Sequence, residues 1–153
     1  MGTRSLTTII SKYEEKEEKI VTIYRQYDGY LEGHGFDLAH FLSKGKLVNG
    51  ISLAETHHIF NGVNCLAAQI VAEFKDGPGG IYLYRGGTTD LGEDYHYEVI
   101  CSENISGDDD IIIKCYEVGY VENDKYINKS KLLFEGNPEQ LLTKINYKEE
   151  NVK

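Results

Sequence analysis

Residues 61–75, NGVNCLAAQIVAEFK, carry a helical stripe long enough to limit the folds open to the chain. Val63, Leu66, Ala67, Ile70, Val71 and Phe74 recur at helical spacing, Asn61 or Asn64 offers a cap, and Gly77-Pro78-Gly79-Gly80 stops the run. Cys65, Ala68 and Ala72 leave the other side small and weakly polar, which predicts a central helix covered on more than one side. Most other apolar runs have strand composition. RSLTTIIS (4–11) and KIVTIYRQY (19–27) flank the charged YEEKEE and read as a hairpin with a solvated tip. Four further β runs, at 80–85, 94–102, 110–119 and 125–136, are joined by Gly-, Asp- and Asn-bearing links, as in an antiparallel meander. FDLAHFLS reads as a short helix. PEQLLTKI reads as another with Pro138 in its first turn, ahead of a tail, YKEENVK, expected to fray. The order β-β-α-α-β-β-β-β-α predicts an α+β fold: an antiparallel sheet of about five to six strands, with a central apolar helix and short helices packed mainly on one face. No repeat or linker interrupts it, so residues 1–147 form one domain and 148–153 a frayed tail.

A chain of 153 residues can bury a core without staples. Its net charge of −9 argues against direct nucleic-acid binding, because phosphate backbones would be repelled. The same acidity suits a mimic that occupies a basic protein groove, or simply keeps a small protein in solution. Cys65, Cys101 and Cys115 sit in apolar runs without C-x-x-C or zinc spacing, and read as buried thiols of a reducing compartment. No run approaches membrane-spanning length, no signal-peptide core opens the chain, and Leu6 stands where a myristoylation signal has Ser or Thr. A soluble cytoplasmic protein is expected.

The chemistry-bearing residues gather around YRQYDGYLEGHG (24–35). Of sixteen basic residues only Arg4, Arg25 and Arg85 are arginine, each at the end of a strand candidate beside glycine or aromatics. Alternation puts Arg4 in phase with Leu6 and Ile10, Arg25 with Val21 and Ile23, and Arg85 with Ile81 and Leu83. All three are therefore expected at the rim of the sheet's apolar side, where a guanidinium needs an anionic mate. That mate is either internal, with Asp28, Asp37 or Glu73 as candidates, or a ligand phosphate or carboxylate held by the arginine fork. Tyr24, Tyr27, Tyr30, Tyr82, Tyr84, Tyr95 and Tyr97 cluster in the same segments and could stack a base, although tyrosine is also a favoured strand residue. Gly29, Gly33 and Gly35 could turn backbone N–H groups toward an anion, but neither a P-loop nor a dinucleotide fingerprint is present.

Signals for catalysis are thinner. His34 and Asp28 could form an acid–base couple near Tyr30 or Cys65, yet Cys65 lies on the helix and no nucleophile motif occurs. His57-His58 lacks zincin spacing, and Asp108 to Asp110 fall in a hairpin turn where solvated charge is the default. No metal and no cofactor are expected.

With MGTRSLT, YRQYDGYLEGHG, NGVNCLAAQIVAEFKDGPGGIYLY and GEDYHYEV in view, the chain resembles a family of small proteins of phages, prophages and bacterial genomes. The family pattern is MGTRSL, YRQ-aromatic-DGY-x-x-GHG, NG-x-x-CLAAQ-aliphatic-V-A-x-F and GPGG-aromatic-YLY, matched over roughly residues 1–100. Leu31 stands where proline is common, and Arg85 falls outside the pattern, leaving Arg4, Arg25, Gln26, Asp28 and His34 as motif residues. The resemblance implies a phage accessory protein that counters host defence, placed in the host cytoplasm. Such proteins sequester a nucleotide-derived immune signal or plug a defence nuclease. The first predicts a nucleotide-like partner held without turnover: Arg4 and Arg25 clamp phosphate, Gln26 and Asp28 read hydroxyls or a base edge, and Tyr27, Tyr30 or His34 stack. Tyr84 and Arg85 complete the set. The second predicts a host defence protein as partner, bound through Glu14 to Glu18 and Asp108 to Asp110. A nucleotide-processing enzyme using His34 ranks behind both. An exposed sheet edge and the apolar helix also admit a homodimer.

Overall fold

The computed structural model describes residues 2–48, 59–103 and 109–151, with side chains through Asn146. Strands β1 (Ser5–Tyr13) and β2 (Lys16–Arg25) form the expected hairpin, turning at Glu14, which takes a positive φ of 55°. A π-helical turn (Leu31–Gly35) leads into α1 (Phe36–Ser43), and β3 (Lys46–Val48) pairs in parallel with β4 (Ile59–Asn61). Next come α2 (Gly62–Phe74), β5 (Ile81–Arg85), β6 (Tyr95–Glu103), β7 (Asp110–Glu122), β8 (Lys125–Gly136) and α3 (Pro138–Asn151). The fold is α+β, with a six-stranded sheet in the order β5-β2-β1-β6-β7-β8. Among the described residues, no helix is long and apolar enough to cross a membrane.

One face of the sheet carries the core. Ile9, Ile23, Tyr97, Val99, Ile113 and Cys115 project from the strands onto Leu38 and Leu42 of α1, Leu66 and Ile70 of α2, and Leu141 and Ile145 of α3, all buried. Each such side chain contributes about 1.5–3 kcal/mol of burial energy. Asn137 closes the N-terminus of α3 by a reciprocal pair, Gln140 N donating to Asn137 Oδ1 and Asn137 N to Gln140 Oε1, both at 2.8 Å.

Four expectations need correction. The meander holds only for β6, β7 and β8; β5 lies at the far edge against β2, and β1 pairs with β6 in parallel. Residues 86–94 must therefore cross β2 and β1 to reach β6, and they do so over the face opposite the core. Gly87 N donates to Thr22 Oγ1 at 3.0 Å at one end of this strap, and Asp94 N to Arg4 O at 2.9 Å at the other. The helix α2 buries one stripe only, with Ala68 and Ala72 exposed, because these small side chains face solvent. The last helix is longer than expected, continuing through Asn151 into residues assigned to the frayed tail. Finally, the three arginines do not share a side. A β-bulge in β2 shifts the register between Ile9/Ile10, so that Ile9 pairs with Val21, Ile10 with Lys19, and Ser5 rather than Arg4 lies opposite Arg25. One extra residue moves a whole strand's pattern to the other face.

The edge of β5 is guarded. Gln26 N donates to Gly80 O, so Tyr82 and Tyr84 hold the ladder to β2 while Ile81, Leu83 and Arg85 turn their backbone groups outward. Lys75 Nζ caps Ile81 O at 2.8 Å, and Thr88 N caps Arg85 O at 3.0 Å. A lysine on a strand edge is a device against edge-to-edge pairing. Replacing it, Lys75→Ala, is expected to raise self-association at high concentration in sedimentation velocity; an unchanged profile would contradict the gatekeeper role.

Candidate functional site

The stretch 24–35 is sewn to the sheet by its backbone. After β2 the chain turns at Asp28, whose φ is 55°, and Gly29 N donates to Thr3 O at 3.0 Å. A Cβ at Gly29 would lie 2.8 Å from the Arg4 carbonyl carbon, so only glycine fits. Tyr97, a core residue of β6, donates its hydroxyl to Gly29 O at 2.8 Å. His34 N then donates to Asp28 O at 2.6 Å, winding the π-helical turn that aims the His34 ring back at β1.

The ring completes a buried polar chain. Arg25, 9% exposed, places Nη1 at 3.0 Å from both His34 Nδ1 and Asp37 Oδ2, and His34 Nε2 lies 2.7 Å from Thr7 Oγ1. A guanidinium only donates, so Nδ1 accepts and the proton sits on Nε2, which donates to Thr7. Burial, with the Arg25 charge adding to it, lowers the His34 pKa to about 3. Tyr97 stacks edge-on to the ring with centroids 4.9 Å apart. The internal mate of Arg25 is thus Asp37, and the Tyr27 ring lies 5.3 Å from its guanidinium carbon. With 1% exposure and both nitrogens bonded, His34 offers no face for stacking and no proton to exchange at neutral pH.

The remaining candidates divide between places. Gln26 pins the glycine turn after α2, its Oε1 accepting from Gly80 N at 2.9 Å. Asp28, Tyr27 and Tyr30 are exposed at the turn, where the Tyr30 hydroxyl donates to Asp28 Oδ1 at 3.4 Å. Arg85 is exposed at the far edge, and Tyr84 is exposed on the strap face. Arg4 shares that face by alternation with Leu6; its Nη1 would sit 3.0 Å from a Cβ built on Gly92 of the strap. Its Nε is buried with no hydrogen-bond partner among the described residues. The structure therefore brings together Arg25, His34 and Tyr27 on one side, whereas on the other face Arg4 and Tyr84 stand apart, Tyr84 at the level of Thr8, and Gln26 is bonded to Gly80. An Arg4–Arg25 phosphate clamp is not formed.

Sequence reading did not single out Thr7, Lys75, Glu93 or Asp94. Glu93 is buried and holds the strap in shape, accepting from Asp90 N at 3.3 Å and Leu91 N at 2.8 Å. Asp94 Oδ2 accepts from the Arg4 backbone N at 3.0 Å. A signal for Glu93 and Asp94 was the glycine-rich GGTTDLGED itself, too polar for a strand and long enough to cross two. Cys101 and Cys115 are buried and Cys65 partly so; burial pushes the first two thiols up to about 12. His57, His58 and Asp108 lie outside the described residues. A cavity of about 400 Å³ opens at the opposite end of the sheet, where Asp109, Asp110 and Glu139 outnumber Lys46 and would repel an anion.

The polar chain predicts an acid limb in stability. His34 binds a proton in the unfolded chain near the ordinary histidine value of 6.5 but in the folded chain only near 3, so stability is full above 6.5 and falls as pH drops between the two values. From pH 6.5 to 5 this group alone costs about 2 kcal/mol. His96, also lowered chiefly by burial, acts in the same direction. His34→Gln, which keeps an acceptor and a donor, should flatten the limb relative to the parent in urea melts at pH 7 and pH 5. Equal slopes in both would contradict a buried neutral ring. Comparison with known protein families, curated proteins and solved structures finds no match for this chain.

Proposed function

We propose that this chain is a non-catalytic accessory protein of the anti-defence kind, which binds and sequesters an anionic, nucleotide-like ligand in the cytoplasm of a host cell. The observation that carries the reading is Arg4: a guanidinium at the end of the sheet whose buried Nε has no partner among the described residues. Leaving such a donor unmet costs about 1–3 kcal/mol, a cost that marks the guanidinium as held in place without an internal acid among the described residues, and its terminal fork is the part that a ligand oxygen would engage. Support for holding without turnover comes from the groups that could act as acids, bases or nucleophiles. His34 is neutral and fully bonded, and the Cys101 and Cys115 thiols are held protonated.

A second reading has its own observation. Glu14, Glu15, Glu17 and Glu18 are all exposed at the β1–β2 tip, and Asp110 begins β7 at the same end of the sheet. That acidic end suits contact with a basic groove of a host defence nuclease. Capture of such a partner that fades steeply with salt would favour this reading.

Calorimetric titration with cyclic nucleotides and ADP-ribose derivatives tests the first reading. At least one should bind and be recovered unchanged after heat denaturation, and Arg4→Ala should weaken it about tenfold or more, as loss of a charge-assisted bond implies. Silence from every compound, or a chemically altered ligand, would contradict it. Arg25→Ala is expected to act on folding instead, lowering the melting midpoint.

A further inference from the structure

The strap face holds an aromatic corner that the reading above did not use. Tyr24, Tyr82 and Tyr84 project from β2 and β5 on this face, since Tyr24 pairs with Tyr82 and Thr22 with Tyr84 in the ladder. Their rings are close but not parallel: Tyr24 lies 6.1 Å from Tyr82 at 55° and 6.3 Å from Tyr84 at 73°. Tyr82 and Tyr84 keep about two-fifths of their surface in solvent (41% and 40%). The helices cover the other face of the sheet, and the strap passes from Thr22 to Arg4, so this corner is bounded rather than buried. Arg4 stands beside it, one residue before β1 on the same face as Leu6, the partner of Tyr24. Lys75 Nζ reaches round the edge of β5 to lie 5.4 Å from the Tyr82 ring centroid.

Charge narrows what such a corner can take. Its cations among the described residues include Arg4, Lys75 and Lys19, whose stem lies against Gly87 of the strap, and Lys75 already spends donors on Gly79 O and Ile81 O. Glu93 and Asp94 follow directly on Gly92, the residue that lies against the Arg4 guanidinium. These three cations against two carboxylates leave the corner one net positive charge, which one further negative charge answers. A phosphomonoester carries nearly two charges at pH 7, and a polyphosphate more. The extra charge would face Glu93 and Asp94 at close quarters, within a molecule whose net charge is already −9. A phosphodiester carries one charge at any neutral pH, and its base can stack on a tyrosine ring while hydroxyls meet the carboxylates.

Resting on the sequestration reading, we infer that the ligand seat is the Tyr24–Tyr82–Tyr84 corner beside Arg4, and that it selects singly charged phosphodiester nucleotides over 5′-phosphates. The test is calorimetry on the full chain with 3′,5′-cyclic AMP, 3′,5′-cyclic GMP, 5′-AMP and ATP. A diester should bind at least about tenfold more tightly than 5′-AMP, with ATP weaker still, and Tyr82→Ala and Tyr84→Ala should each weaken the diester about tenfold, as loss of one stacking contact implies. Arg4→Lys keeps the charge but not the fork, and should lose affinity while its melting midpoint stays near the parent's. Leu132→Ser, on an exposed site of β8, should change nothing. ATP or 5′-AMP binding as tightly as the diesters would overturn the ligand class, and unaltered binding in both tyrosine variants would overturn the seat, each leaving sequestration standing. No binding of any of the four, with the wider panel silent as well, would remove the reading beneath.

Discussion

A guanidinium placed between a sheet and its helices has to be given acceptors there, and one end of this molecule is organised by how Arg25 obtains them. One acceptor is a carboxylate, Asp37, from the first turn of α1. The other is an imidazole nitrogen, and that choice has consequences. His34 can accept only while neutral, so its ring must stay out of water. It must also hand its remaining proton to Thr7 on the neighbouring strand. Putting the ring there takes a left-handed residue at Asp28, a glycine against the Arg4 carbonyl whose own oxygen the Tyr97 hydroxyl ties to β6, and a π-helical turn after it. Gly29 and His34 are thus explained by a single buried charge. Asp37 keeps 42% of its side chain in solvent, so the cost of breaking the pair falls on the buried partner, Arg25, which would lose a carboxylate acceptor.

The second organising feature is one residue long. From the β1–β2 turn the strands run in a register that would bring Arg4 opposite Arg25, until the bulge beside Ile9/Ile10 moves the pairing on by one. Arg4 then belongs to the outer face and Arg25 to the core face. The separation spares the fold a like-charge pair across a ladder, which is destabilising. It also leaves the two guanidiniums in different company. Arg25 meets Asp37 and His34, while Arg4 meets a glycine strap and keeps an Nε without a partner among the described residues. Function is therefore sought on the face that the strap crosses.

Much of the architecture was legible in the chain. The stripe from Val63 to Phe74, the β-branched composition of SLTTIISKY and the cap-and-proline start at Asn137-Pro138 each state their local structure. The pairing of Arg25 with Asp37 was one of three internal mates that residue types alone could nominate. Other features depend on register and order, which periodicity does not carry. Alternation relates Arg4 to Leu6 and Arg25 to Ile23 but says nothing of how the two strands face one another, and a bulge has no reliable sequence mark. Nor could the β runs reveal that β5 would skip to the far edge; only a nine-residue link of glycine, threonine and acidic residues hinted that it had somewhere to cross. The orphaned Arg4 Nε follows from that crossing, so it was invisible for the same reason.

The claim on which the rest stands is that His34 is a neutral acceptor for Arg25 and belongs to the scaffold. Long-range nitrogen–proton correlation spectra of the histidine ring, recorded from pH 8 to pH 4, address it directly. The account predicts one resonance pattern throughout, with Nδ1 unprotonated and Nε2 carrying the proton. A His34 ring that titrates near 6.5, or one protonated at Nδ1, would contradict it.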